Sequence, residues 1–279
     1  MKRLTVMAAI AAFFCGAAPV AACSEATPCD VADGEYLIAM PEGAESDVPA
    51  VVFIHGFGGS GEGVMRNRGM VDAIVDRGYA VIAPSGLGMQ GRSGGSWSFR
   101  PGGTQRRDEV AFITSVRDDA IDRHGIDADR IILSGFSIGG SMTAYLACAA
   151  PQTFAAYAPL GGNFWRPHPV ECTGPVRMLH THGWTDGTVP LEGRVFGGKN
   201  SRDPGAVSQG DVFAALGIWR ETNECFQLKA DRFETSGYYL RRAWDRCAPG
   251  SALEFALFPG GHVIPQGWAD MVLDWFEGL

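Results

Sequence analysis

The 279-residue sequence holds no CxxC pair and no His/Cys group at the spacing of metal ligands, so a zinc site lacks its usual donors. No apolar run reaches the roughly 20 residues that a membrane-spanning helix needs. No internal repeat is visible, and no linker rich in Pro, Gly or Ser divides the chain. Positive charge is in short supply. Lys and Arg number 23 against 31 Asp and Glu, a formal net charge of −8. An acidic chain has no electrostatic footprint for nucleic acid or anionic lipid. The glycine-rich "FIHGFGGSGE" lacks the lysine pattern of a phosphate-cradling loop.

What is present begins with a leader. "MKRLTVMAAIAAFFCGAAPVAAC" opens on Lys2 and Arg3, runs apolar from Leu4 to Cys15, and continues in small residues to Ala22. That is the build of a secretory signal peptide, leaving residues 23–279 as a single domain. Export leaves six of the seven cysteines, an even number that reads as disulfides. Proximity in sequence pairs Cys23 with Cys29, Cys148 with Cys172, and Cys225 with Cys247. A rival reading takes "VAAC" as a lipidation signal with Cys23 as the anchor. It would leave an odd number of cysteines, and the disulfide reading is preferred.

Short apolar runs alternate with helical patterns along the rest of the chain. The runs are 48–56, 79–86, 130–135, 176–183 and 252–260, most of them ending in Gly or Pro. Near-continuous apolar runs suit strands buried on both faces of a parallel sheet. Helical spacing fills 62–77, 108–124, 138–149, 208–222 and 266–277. The alternation predicts an α/β fold, a mostly parallel sheet with helices on both faces, with 30–47 as an antiparallel edge. Two long unpatterned stretches, 85–107 and 193–210, follow strand ends, where such sheets bind ligands. Trp97 and Phe99 mark the first as a cleft wall.

"RIILSGFSIGGSM" places Ser137 between Gly135 and Gly139 where a strand run gives way to a helix. That context is what a G-x-S-x-G nucleophile elbow requires. A serine hydroxyl needs a base to take its proton, and the base needs an acid to orient it. In this architecture the order is Ser, acid, His. "THGWTDGTVP" offers Asp186 just past one strand, and "FPGGHVIP" offers His262 just past the last. His262 is the only histidine after Asp186. His180 and His182 precede the acid and are read as bonding locally; His124 ends a helix, and His168 has no assigned role. "HGFGGSGE" after the first long strand supplies oxyanion donors, the backbone N–H of Phe57 (or of Gly58) with that of Ile138. Trp97, Trp165 and Trp184 are candidates to line an apolar substrate cleft.

"HGFGGSGE", "RRDEVAFI", "GFSIGGSM", "HTHGWTDGTVP" and "FPGGHVIP" together resemble the secreted polyhydroxybutyrate depolymerase and feruloyl esterase group of the α/β-hydrolase superfamily. The resemblance implies a secreted serine carboxylic-ester hydrolase with no metal or organic cofactor, acting on a small or oligomeric ester. Its triad positions fall on Ser137, Asp186 and His262, and its oxyanion loop on residues 55–59. It leaves hydroxybutyrate, feruloyl and acetyl esters open. A peptidase using the same triad would be expected to carry a large additional domain. A non-catalytic binding protein on this scaffold would be expected to show a broken triad, and the sequence keeps all three residues.

Overall fold

The computed structural model describes residues 23–100, 102–203 and 205–279. The expected leader, with Cys15, lies outside the described residues. In chain order, β1 (Cys29–Val31) and β2 (Gly34–Ala39) form an antiparallel pair. β3 (Val48–Ile54), the short helices α1 (Gly61–Met65) and α2 (Arg68–Val75), and β4 (Ala80–Pro84) follow. A small hairpin, β5 (Leu87–Gly88) with β6 (Gly95–Ser96), precedes α3 (Glu109–His124) and β7 (Ile126–Phe136). Next come α4 (Ile138–Ala149), β8 (Ala156–Leu160), β9 (Trp165–Arg166), β10 (Arg177–Gly183) and β11 (Ser208–Gln209). The chain ends with α5 (Val212–Thr222), β12 (Arg232–Ser236), β13 (Tyr239–Trp244), β14 (Ala252–Phe258) and α6 (Trp268–Glu277).

Ten strands form one sheet in the order β1-β2-β4-β3-β7-β8-β10-β14-β13-β12. From β4 to β14 every neighbouring pair is parallel, and both flanks are antiparallel. The expected α/β sheet is therefore present, with two strand pairs added at its edges. Central strands β3 and β4 are apolar and buried along their whole length because each side meets a helix layer. On β3, Ala50, Val52 and Ile54 join a core built with α3, α4 and α5. Val51 and Phe53 join a second core built with α1, α2 and α6.

Local chemistry fixes the element ends. Asp108 caps α3 by accepting from the Ala111 N–H, and Gly125 ends it in the left-handed region at φ 65°. The expected helix over 62–77 is instead two, separated at Arg66 and Asn67. The region 208–222 is helical only from Val212, because Ser208 and Gln209 pair with β9 and Asp211 caps α5. Strands β8, β12 and β13 were not expected. Pro159 disguises the first, and "RFETS" is exposed along nearly its whole length at the sheet edge. Among the described residues no helix is long and apolar enough to cross a membrane.

Cys23–Cys29, Cys148–Cys172 and Cys225–Cys247 are bonded, the pairing that proximity in sequence indicates.

Candidate active site

β7 runs straight into α4 through Ser137, whose backbone sits at φ 61°, ψ −121°. A non-glycine residue there is strained and must be held by its surroundings. The flanking glycines explain how. A Cβ on Gly139 would lie 2.1 Å from the Ile54 carbonyl oxygen, and one on Gly135 would lie 2.5 Å from that of Gly139. Only bare backbone lets the strand and helix cross so closely. The turn lifts the serine oxygen above the sheet at the positive end of α4.

Two other strand ends bring the partners. His262, past β14, has Nε2 2.8 Å from Ser137 Oγ and Nδ1 2.7 Å from Asp186 Oδ2. Asp186, past β10, is buried, and its Oδ1 accepts from the N–H groups of Thr188 and Val189 at 2.8 Å each. Burial raises its carboxyl, but the His262 hydrogen bond and these two N–H donors together hold it below the ordinary carboxylate value. The Asp186 bond places the proton of a neutral His262 on Nδ1 and leaves Nε2 to accept from the serine. The Phe136 ring packs against the imidazole, centroids 4.6 Å apart.

The loop after β3 passes beside the serine. Among the described residues Gly58 N–H donates to Gly95 O at 2.9 Å, whereas Phe57 N–H has no acceptor. Of the two candidates, Phe57 is therefore the one free to donate. Ile138 N–H opens α4 and has no intrahelical acceptor. His55 holds this loop. Its Nε2 accepts from Gly86 N–H at 2.9 Å, so Nδ1 carries the proton and donates to Gly56 O at 2.7 Å. Burial lowers the His55 pKa, and the ring stays neutral.

A cavity of about 530 Å³ opens beside Ser137, walled by Trp97, Phe99, Trp165 and Phe196. Trp97 donates to the His55 carbonyl at 2.9 Å, and Trp165 stacks on Phe196 with 7° between ring planes. The 85–107 stretch is thus a wall of this cavity. Trp184 is a different matter. It is 63 % exposed and lines a separate groove with Phe233, Tyr238 and Leu240. Following β10 directly, it is carried to the outer side of the acid loop, and the structure removes it from the cleft where sequence reading placed it.

Several supporting residues carried no clear sequence signal. Arg107 and Glu109 form a buried ion pair at 2.7 Å; Arg107 also donates to Asp33 O, and Glu109 accepts from Ser98 N–H, tying the cavity wall to α3. "RRDE" hinted at them only as a helix start. His180 and His182 form a buried pair on β10, with His182 Nε2 donating to Val189 O at 2.8 Å. Cys23, Cys29 and His124, distant in sequence, place their ligand atoms within 4.8 Å of one another. The two sulfurs are bonded to each other there, so the group offers no thiolate.

A strained serine after one parallel strand, an acid and a histidine after two others, and a parallel sheet between helix layers define the alpha/beta hydrolase fold. The family model of that description matches residues 49–267, and this chain belongs to the family. Feruloyl esterase C of Emericella nidulans is 28% identical over 171 residues, 58% of this chain and 58% of that protein. Poly(3-hydroxyalkanoate) depolymerase C of Paucimonas lemoignei is 27% identical over 143 residues, 51% of this chain and 33% of that protein. The chain spans about half the length of the curated relatives it matches. An acetyl xylan esterase from Aspergillus awamori superposes with a TM-score of 0.64 at 19% identity, covering 88% of this chain and 95% of that one. That likeness is one of fold.

Proposed function

We propose that this chain is an exported serine carboxylic-ester hydrolase that works through a covalent acyl-enzyme, with hydroxyalkanoate oligomers as its substrate class. The observation that carries the reading is the unbroken line Asp186 Oδ2, His262, Ser137 Oγ, with gaps of 2.7 and 2.8 Å. Ser137 Oγ attacks the ester carbonyl as His262 Nε2 takes its proton. The tetrahedral oxyanion forms against the N–H groups of Phe57 and Ile138. His262 returns the proton to the departing alkoxide, and a water deprotonated by the same nitrogen then hydrolyses the acyl-enzyme. Asp186 stabilises the imidazolium in both halves.

The apolar, aromatic cavity and the likeness to a poly(3-hydroxyalkanoate) depolymerase support the substrate class. The parallel Trp165 and Phe196 rings favour a second reading, an aromatic acyl group of the feruloyl kind. Three disulfides fit an exported protein. Ser137→Ala should lower turnover of p-nitrophenyl butyrate by about 10⁴-fold or more. Equal rates for parent and variant would end the proposal. Hydroxybutyrate oligomers, methyl ferulate and acetylated xylan, assayed on one sample, then rank the substrates.

A further inference from the structure

The cavity beside Ser137 is cationic inside an acidic protein. Arg100, Arg106 and Arg194 line it, and among the described residues no Asp or Glu does. None of the three is in an ion pair there, although arginines elsewhere find carboxylates: Arg77 with Asp274, Arg107 with Glu109, Arg246 with Asp231. Glu109 lies behind this wall, but its charge is matched by Arg107.

The packing of these arginines leaves their donors unspent. Arg100 lies over Trp165 at 5.7 Å and Arg194 over Phe196 at 4.7 Å. Stacking occupies the face of a guanidinium and leaves its in-plane N–H groups to be satisfied separately. Arg106 gives one such donor to Gly88 O. Arg194 Nε is buried with no hydrogen-bond partner among the described residues. A buried donor without an acceptor is costly, and three like charges around one apolar cavity repel. An anionic group entering with the substrate relieves the repulsion among the three.

We propose that the cavity selects esters that carry a carboxylate away from the scissile bond, held by Arg194 with Arg100 and Arg106 while the aromatic walls take the intervening carbon chain. This rests on the esterase reading and narrows it. A free oligomer ending in a carboxylic acid fits, whereas an internal segment of a neutral polymer does not. The carboxylate belongs either to the acyl part or to the alcohol part of the ester, and the chemistry of recognition is the same.

Two matched probe pairs test it. Mono-4-nitrophenyl adipate against its methyl ester places the charge on the acyl side; 4-acetoxybenzoate against its methyl ester places it on the leaving side. In one pair the acid should be favoured in kcat/KM by about tenfold, as a charge-assisted contact in a sheltered site implies. That preference should shrink in about 0.5 M sodium chloride and approach unity in Arg100→Gln/Arg194→Gln. The preferred pair identifies which side bears the charge. Equal or better use of both neutral esters overturns the proposal, as does a preference indifferent to salt and to both substitutions. Absence of turnover on all four probes would instead count against the esterase reading. Binding of monomethyl and dimethyl adipate to Ser137→Ala, followed by tryptophan fluorescence, then decides the anion site on its own: tighter binding of the acid supports it, and no difference overturns it.

Discussion

At the scale of single residues, the proposed mechanism turns on tautomer control at His262. Asp186 accepts from His262 Nδ1 and in turn takes two backbone N–H bonds, so it presents an acceptor and nothing else. In Asp186→Asn the amide N–H₂ would face Nδ1, move the imidazole proton to Nε2, and remove the acceptor for the serine proton. Turnover of p-nitrophenyl butyrate should fall by about 10⁴-fold while the fold persists, checked by steady-state rates beside circular dichroism. The meeting of these three side chains was legible because each sits at a strand end, in the order Ser, acid, His. The choice between Phe57 and Gly58 was not, since Gly58 is excluded by a carbonyl 37 positions onward, at Gly95. Trp184 misled for a related reason. An aromatic beside the acid looks like a cleft residue until the direction of the loop is known.

At the scale of elements, the crossing of β7, α4 and β3 and the interior of β10 carry the account. Gly139→Ala forces a methyl carbon into the Ile54 carbonyl and should destabilise the chain by about 1–3 kcal/mol, read from the shift in urea midpoint. A midpoint within error of the parent would show that the crossing can relax. On β10, burial first and the neighbouring His182 second hold His180 well below its ordinary value of 6.5. The imidazole is therefore neutral in the fold, while an unfolded chain protonates it as pH drops below about 6.5. Its contribution to stability is complete above that value and is lost on acidification. The urea midpoint should fall between about pH 7 and pH 5, and fall less steeply in His180→Asn. Identical slopes would assign the loss to other groups. Apolar runs made the central strands readable, because a strand covered on both faces has few solvated positions to break the pattern. β12 and β13 escaped because their exposed positions, such as Phe233 and Leu240, are apolar where a half-solvated strand is expected to be polar.

At the scale of the whole molecule, disulfides tie peripheral segments to the sheet and its helices. Cys148–Cys172 closes the stretch that includes β8 and Trp165. Replacing both cysteines by serine should cost about 3 kcal/mol, the loop-closure entropy for a separation of 24 residues. Thermal unfolding of oxidised parent and double variant checks this, and equal midpoints would place the bond outside the cooperative unit. The pairing was readable from spacing alone. The cationic cavity was not, since Arg100, Arg106 and Arg194 come from two distant loops and meet only when the sheet brings strand ends to one rim. The central claim remains that Ser137 is a nucleophile activated by His262. Treatment with a fluorophosphonate, followed by intact-mass and peptide analysis, tests it most directly. One adduct on Ser137, lost in His262→Ala, is the predicted result; no adduct, or one at any other residue, would contradict it.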